Sequence, residues 1–132
     1  MTDARIAFFG LVVEDMARSL AFYRLAGLDL PAEADQEPHV EADLGGVKLV
    51  WDTVGTIKSF DPDWTPPTGG HRVAIAFGLP DPAAVDAGYA AFGAAGYTQY
   101  KAPWDAFWGQ RYAIVQDPDG NHVELCAPLP SA

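Results

Sequence analysis

The stretch IAFFGLVVEDMARSLAFYRLAG, residues 6–27, contains a strand and a helix together with the signals that separate them. Residues 6–13 form an apolar run of strand length that is rich in aromatic and β-branched side chains. Asp15 follows as a predicted helix N-cap, and Gly27 is placed to adopt the left-handed conformation just beyond the helix end. The stretch therefore predicts a strand that leads directly into an amphipathic helix.

The same order of signals recurs in the second half of the chain. Residues 71–79, HRVAIAFGL, form another apolar run of strand length. Asp81 and Pro82 then mark the start of a helix, and Gly96 marks its end. Asp81 lies 81 − 15 = 66 residues after Asp15, which is half of the 132-residue chain. This spacing indicates an internal duplication.

Each predicted helix is followed by short strands that end in a hairpin. The turn is Gly45-Gly46 in the first half and DPDGN, residues 117–121, in the second half. The strands that flank these turns are residues 39–44, 47–51, 111–116 and 122–127.

These elements predict an α+β fold made of two tandem βαβββ modules within one domain, residues 4–129. The modules are residues 4–53 and 71–129, and the segment 54–70, rich in Pro, Gly and Asp, connects them. Because one helix can cover only one face of a four-stranded sheet, the other face must meet another sheet or line a cavity.

Composition and charge exclude several classes of function. The chain is 49% hydrophobic and 20% charged, which is typical of a globular protein. Eight basic against eighteen acidic residues give a net charge of −10, which argues against a nucleic acid or an anionic membrane surface as partner.

A single cysteine, Cys126, permits no internal disulfide. With no signal peptide and no apolar run near ~20 residues, we expect a cytoplasmic protein.

Two motifs in this arrangement resemble a known family. VEDMARSLAFYR, residues 13–24, opens the first module, and DPDGNHVEL, residues 117–125, closes the second. Together with the repeated βαβββ unit, they resemble the vicinal oxygen chelate superfamily over residues 5–129. This superfamily includes glyoxalases, extradiol dioxygenases, fosfomycin-modifying transferases and bleomycin-resistance proteins. The resemblance implies curved sheets around a shared cavity, often within a homodimer.

The resemblance also implies where a metal would bind. Metal-dependent members place one ligand on the first and last strand of each module. Carried onto this sequence, these positions are Phe8 and Val50 in the first module and Ala74 and Glu124 in the second. Only Glu124 has a side chain that can donate to a metal, and one carboxylate does not hold a catalytic ion. We therefore expect no metal and no cofactor.

The sequence leaves one alternative metal site open. His122 lies two residues before Glu124, so parity places both side chains on one face of a strand. A shifted alignment would let this pair, with His71, bind Fe, Zn, Ni or Mn. His71 lies three residues before Ala74, however, and parity places it on the opposite face. His39 lies on a polar strand face and is expected to be solvated.

Residues 104–112, WDAFWGQRY, are the most informative segment for ligand binding. Large aromatic side chains are costly in a surface loop unless something covers them. They either fill a module or dimer interface, or they form a stacking wall for a planar ligand. The predicted ligand-binding residues are Phe8, Val50, Trp64, Ala74, Trp104, Phe107, Trp108, Arg111, Tyr112 and Glu124, with Gln110 as a further polar contact.

We therefore predict a homodimer that binds a small, largely apolar or aromatic molecule, neutral or cationic, in the cavity between modules. The implied role resembles that of bleomycin-resistance proteins, namely sequestration without metal or turnover, as in antibiotic resistance. The alternative is a glyoxalase-like lyase or isomerase or a dioxygenase with Glu124 as a catalytic residue. An acid–base isomerase would pair Glu124 with Tyr112 or His122.

Overall fold

The computed structural model describes residues 1–131 and shows a mixed α+β chain. The chain forms two compact units, Met1–Thr68 and a second unit that begins at Gly69. Each unit contains one β-sheet and the helix that follows its first strand. No helix among the described residues is long and apolar enough to cross a membrane.

The first unit has a three-stranded sheet. Its strands occur in the order β1-β3-β2, with β1 parallel and β2 antiparallel to β3. A 3₁₀ helix, Ala32–Gln36, takes the place of one of the three strands predicted after the first helix. The reason is local, because the sequence AEADQ lacks the β-branched and aromatic residues that favour strands. The elements are β1 (Phe8–Val13), α1 (Met16–Leu25), β2 (His39–Asp43), β3 (Lys48–Thr53) and α2 (Val54–Lys58).

The second unit has the complete βαβββ order that the sequence predicts. Its four strands are arranged β4-β7-β6-β5, with β4 parallel to β7 and the other neighbours antiparallel. The elements are β4 (Ala74–Gly78), α3 (Pro82–Ala94), β5 (Thr98–Ala106), β6 (Gln110–Gln116) and β7 (His122–Pro128).

The predicted helix boundaries are confirmed in both units. Asp15 accepts a hydrogen bond from the Arg18 N–H over 3.0 Å, and Asp81 accepts one from the Ala84 N–H over 2.8 Å. Each side chain thus pairs a backbone donor that has no partner within its helix. Gly27 lies beyond the end of α1 at φ 108°, where a side chain would be strained.

Each sheet packs one of its faces against the helix of its own unit. In the first unit, Trp51 of β3 is fully buried and meets Tyr23 of α1 edge to face, with ring centroids 5.4 Å apart. The prediction that Trp51 belongs to the core is confirmed. In the second unit, the buried apolar residues of α3 and of the strands beneath it are Val85, Phe92, Ala113, Val115, Val123, Leu125 and Ala127. The alternate residues of β6 and β7 therefore point to the other side of that sheet.

Candidate ligand-binding site

The face of the second sheet opposite α3, here called the helix-free face, carries most of the predicted site residues. Strand alternation places Tyr112 of β6 on this face, along with His122, Glu124 and Cys126 of β7. Ala74 of β4 lies beside His122 in the parallel register, so it shares the face and contributes only a methyl group.

Glu124 lies at the centre of this face and is hydrogen-bonded to Tyr112. The Tyr112 hydroxyl donates to Glu124 Oε2 over 3.0 Å. Burial raises the pKa of Tyr112 to about 12, and its hydrogen bond to Glu124 and the charge of that carboxylate contribute. The phenol therefore remains a donor at neutral pH and holds the carboxylate in one orientation. The sequence placed both residues in the site, and the structure brings them into direct contact.

Four aromatic residues, Trp104, Phe107, Trp108 and Tyr112, form one connected group, here called the aromatic cluster. Trp104 and Tyr112 are paired across β5 and β6, with ring centroids 5.5 Å apart. Trp108 meets Tyr112 edge to face at 5.2 Å and Phe107 at 5.0 Å. Phe107 is 97% exposed and Trp108 49% exposed, so the cluster presents apolar ring surface to solvent. The indole N–H of Trp108 donates to Gln110 Oε1 over 3.2 Å, which fixes its ring.

Lys101 also lies on this face, although its position could not be predicted from the sequence. Its ammonium lies 4.1 Å from the centroid of the Trp104 ring, and it forms no ion pair within residues 1–131. The register of β5 shifts between Gln99 and Lys101 and again between Lys101 and Trp104. These irregularities interrupt the two-residue alternation of the strand, which is the basis for predicting the sheet face on which a side chain lies. The contact shows that the Trp104 ring accepts a cation.

A second group of rings surrounds His122. The His71 ring stacks on His122 with centroids 3.6 Å apart, and the Tyr100 ring lies 4.2 Å away. His122 is only 6% exposed, and its Nδ1 is buried without a hydrogen-bond partner among the described residues. Burial lowers the pKa of His122, and the charge of His71 lowers it further, while Glu124 opposes the shift. His122 is therefore a neutral imidazole at pH 7.

The contact between His71 and His122 contradicts the predicted side of His71. Strand β4 begins only at Ala74, so the residues just before it do not follow the two-residue alternation of a strand. The parity argument for His71 was therefore wrong, and the two histidines are neighbours.

Arg111 lies on the α3 side of the sheet, contrary to the expectation that it faces a ligand beside Glu124. It has the same parity as Ala113, which is buried under the helix. Its guanidinium donates to Asp86 of α3 over 2.9 Å and to Asp105 of β5 over 2.8 Å. Both carboxylates raise the pKa of Arg111, with Asp86 the larger cause. Arg111 therefore tethers the helix to the sheet edge.

Three predicted site residues belong to the first unit. Phe8 of β1 is 55% exposed, and Val50 of β3 is 2% exposed. The parallel register pairs Val50 with Gly10, which places Phe8 and Val50 on the same side of the first sheet. Trp64 is half-buried beyond α2, and its backbone N–H donates to the Asp61 carbonyl over 3.1 Å.

His39 is half-exposed, as predicted, but it is also paired through both ring nitrogens. Nδ1 lies 2.5 Å from Asp52 Oδ1, and Nε2 lies 2.8 Å from Glu41 Oε2. Lys48 continues the chain of charges at 3.1 Å from the other oxygen of Glu41. The pKa of His39 is raised, first by Glu41 and then by Asp52. These four residues form a charged network across β2 and β3.

The described residues do not fit the metal site that the family resemblance implies. The side chains of Phe8, Val50 and Ala74 have no donor atoms, which leaves Glu124 alone among the four positions. Within residues 1–131, no three His, Cys, Asp or Glu side chains gather in a geometry that could hold a metal ion. Cys126 lies beside Glu124 on β7, and burial and then the Glu124 charge raise the pKa of its thiol, which disfavours the thiolate ligand.

Comparisons with known proteins agree with this architecture. Among solved structures, a glyoxalase/bleomycin resistance protein/dioxygenase family enzyme from Burkholderia phytofirmans PsJN is 21% identical, with a TM-score of 0.81, covering 96% of this chain and 100% of that one. Lactoylglutathione lyase from Agrobacterium tumefaciens is 24% identical with a TM-score of 0.63, covering 94% and 93%. TioX from Micromonospora sp. ML1 is 24% identical with a TM-score of 0.60, covering 96% and 100%.

At these identities, the structural likeness establishes the fold alone. No curated protein is significantly similar to this chain. The sequence profile of one family matches residues 5–125, nearly the whole chain. The chain therefore belongs to the glyoxalase/bleomycin resistance protein/dioxygenase superfamily.

Proposed function

We propose that this protein binds a small, largely apolar or aromatic molecule on the helix-free face of its second unit and acts by holding it, without metal or turnover. The observation that carries this proposal is the aromatic cluster, whose Phe107 and Trp108 rings are exposed beside the Tyr112–Glu124 pair. Exposed aromatic surface of this kind marks interaction sites, because water contact with the rings is unfavourable.

The cluster has the geometry of a stacking site. Trp108 stands nearly perpendicular to both Tyr112, at 79°, and Trp104, at 87°. Perpendicular rings leave faces and edges available for a planar guest, and each aromatic pair contributes about 0.5–1.5 kcal/mol beyond the burial of its area. Glu124 and the Tyr112 hydroxyl supply the few polar groups that orient a ligand in such sites.

The charges of the face support a cationic as well as a neutral ligand. The Lys101 ammonium on Trp104 shows that this ring binds a cation, and a ligand cation can compete for the same ring. The Glu124 carboxylate adds a negative charge on the same face. The net charge of −10 further favours the approach of cations, although salt screens this attraction beyond about 8 Å.

Fluorescence titration with 9-aminoacridine, a planar cation, tests the proposal. We expect Trp108→Ala to weaken binding by about 1–3 kcal/mol, because the variant removes a stacking surface. Phe60→Ala is the matched control, since Phe60 is 72% exposed but is not a member of the aromatic cluster. Equal binding by the wild type and Trp108→Ala would assign the aromatic cluster to packing and contradict the proposal.

The second candidate is an enzyme of the glyoxalase or dioxygenase kind. The Glu124–Tyr112 hydrogen bond and the neutral imidazole of His122 on the same face favour it, because they place a carboxylate and a base near each other. Metal analysis of protein purified without chelator separates the two functions. Near-stoichiometric Fe, Zn, Ni or Mn that is lost in Glu124→Ala would favour the enzyme over sequestration.

A further inference from the structure

The most informative polar atom outside the aromatic cluster is Nδ1 of His122. It is buried and has no hydrogen-bond partner among residues 1–131. Burying a polar atom without a partner costs free energy, so native proteins leave few such atoms. His122 also lies on the helix-free face rather than among the core side chains under α3. An unpaired nitrogen at this position is therefore a candidate contact for a ligand.

The surroundings of His122 limit what could pair with this nitrogen. Two rings, those of His71 and Tyr100, pack on the imidazole, and Ala74 beside it on β4 offers only a methyl group. Glu124 follows two residues later on the same strand face, and its Oε2 is already paired with Tyr112. The packed rings do not supply the missing hydrogen bond, which leaves the nitrogen available to a group of a bound ligand.

The strand register relates this nitrogen to the aromatic cluster. Tyr112 of the cluster is paired with Cys126 on β7, and His122 lies four residues before Cys126 on the same strand. Four residues of a strand span about 13 Å, and Glu124 lies midway along this interval. A molecule that stacks on the cluster and reaches His122 therefore needs about two aromatic rings in line, with a polar group at its far end.

A hydroxyl is the group that suits Nδ1 in every protonation state. A neutral imidazole nitrogen either donates or accepts, depending on the tautomer, and a protonated imidazole donates. A hydroxyl can both donate and accept, so it satisfies all three forms. An ether oxygen satisfies only a donating nitrogen, and a hydrocarbon satisfies none.

Access to Nδ1 depends on the ring that covers His122. His71 is exposed and belongs to residues 69–73, which form neither helix nor strand. It can therefore move aside without breaking a strand pair of the second sheet. The stacking of His71 on His122 would then be replaced by a hydrogen bond between the ligand hydroxyl and His122 Nδ1.

We infer that the ligand of the helix-free face is a hydroxylated, elongated aromatic molecule whose hydroxyl donates a hydrogen bond to His122 Nδ1 while its rings stack on the aromatic cluster. This inference rests on the proposed function and adds the chemical class of the ligand. It assigns His122 as a specificity-determining residue.

The test compares two probes that differ only at the hydroxyl, 4-phenylphenol and its methyl ether, 4-methoxybiphenyl. We expect the wild-type protein to bind the phenol about tenfold more tightly, the effect of one net hydrogen bond. In His122→Phe, which keeps an aromatic ring for the stack, the ratio of the two affinities should fall to about one. His39→Gln, the control, removes an imidazole from the charged network of β2 and β3 and should keep the ratio.

A second measurement on the wild-type protein covers the case in which His122→Phe fails to fold. The ¹⁵N resonance of His122 Nδ1 should move when the phenol is added and stay in place with the ether. If this resonance does not respond to the phenol, the inference is wrong.

The remaining outcomes separate the inference from the proposed function. Equal binding of both probes, still weakened by Trp108→Ala, would overturn the role of His122 and leave the stacking site standing. A preference for the phenol that persists in folded His122→Phe would place the hydroxyl elsewhere and also overturn the inference. Binding of neither probe by the wild type would contradict both proposals for two-ring aromatic ligands.

Discussion

The hydroxyl of Tyr112 donates to Oε2 of Glu124 over 3.0 Å and so connects β6 to β7 on the helix-free face. The residue of β7 that is paired with Tyr112 in the register is Cys126, so the bond runs diagonally to the residue two positions before it. This diagonal contact makes Tyr112 a member of two groups at once. Its ring packs with Trp104 and Trp108, and its hydroxyl orients the carboxylate.

Tyr112→Phe should remove the tyrosine that titrates at unusually high pH and leave the aromatic cluster in place. The pKa of Tyr112 is about 12 because burial and the neighbouring carboxylate disfavour the phenolate. The folded state therefore binds this proton more tightly than the unfolded state, and the stability from this group is lost as the pH rises above the normal tyrosine pKa of about 10. Tyrosinate absorbance of the wild type minus that of Tyr112→Phe should show one group that titrates near 12. A difference curve centred near 10 would contradict the structure.

Lys101→Met should strengthen the binding of a cationic probe and weaken the binding of an anionic probe. The variant removes an ammonium from the Trp104 ring but keeps an apolar chain of similar length. We expect 9-aminoacridine to bind more tightly by about 0.5–1 kcal/mol, because it no longer competes with a cation already on the ring. The anionic 1-anilinonaphthalene-8-sulfonate should bind more weakly.

Lys58→Met controls for the change in net charge, because Lys58 is exposed at the end of α2 in the first unit. It should leave the affinity for both probes unchanged. Equal effects of Lys58→Met and Lys101→Met would mean that only the overall charge matters and that the contact with Trp104 does not.

Gly93→Ala should stabilise the protein only when Gln99 is also changed. A Cβ at Gly93 would clash with Gln99 Nε2, which donates to the Tyr89 carbonyl over 2.8 Å. In the Gln99→Ala background, the alanine should add about 1 kcal/mol of stability through its helix propensity. In the wild type, displacement of Gln99 costs about 1 kcal/mol of hydrogen bonding and cancels that gain. Denaturant unfolding of the four proteins measures this coupling, and additive effects would contradict the packing of Gln99 on α3.

The parts that could be predicted from the sequence depend on local signals. Asp15 and Asp81 cap their helices as predicted because an N-cap needs only its own side chain and the next turn of backbone. The shared face of His122 and Glu124 follows from strand alternation alone. Trp51 in the core follows from the same rule.

The parts that the sequence did not predict depend on where regular structure begins or breaks. His71 stacks on His122 because β4 starts three residues later, and Lys101 reaches Trp104 across register shifts in β5. Neither boundary has a strong local signal. Arg111 was expected in the site for its charge, but its partners Asp86 and Asp105 come from α3 and β5 and are distant in sequence. Such pairings require the tertiary structure.

The charged network of the first unit should make stability depend on pH through His39. The raised pKa of His39 means that the folded state holds the imidazolium more tightly than the unfolded state, first through Glu41 and then through Asp52. This stability is therefore fully present below the unfolded pKa of about 6.5 and is lost as the pH rises through the higher folded pKa. We expect His39→Gln to destabilise the protein at pH 5 by on the order of 0.5 kcal/mol, because half-exposed ion pairs are screened by water.

At pH 9 less of the imidazolium remains in the folded state than at pH 5, so the wild type and His39→Gln should differ less in their free energies of unfolding. Thermal denaturation of the wild type and His39→Gln at both pH values measures the difference. Asp52→Asn should reproduce the loss at pH 5, because it removes the carboxylate 2.5 Å from Nδ1. A His39→Gln effect that is equal at the two pH values would show that the hydrogen bonds of this residue matter and that its charge does not.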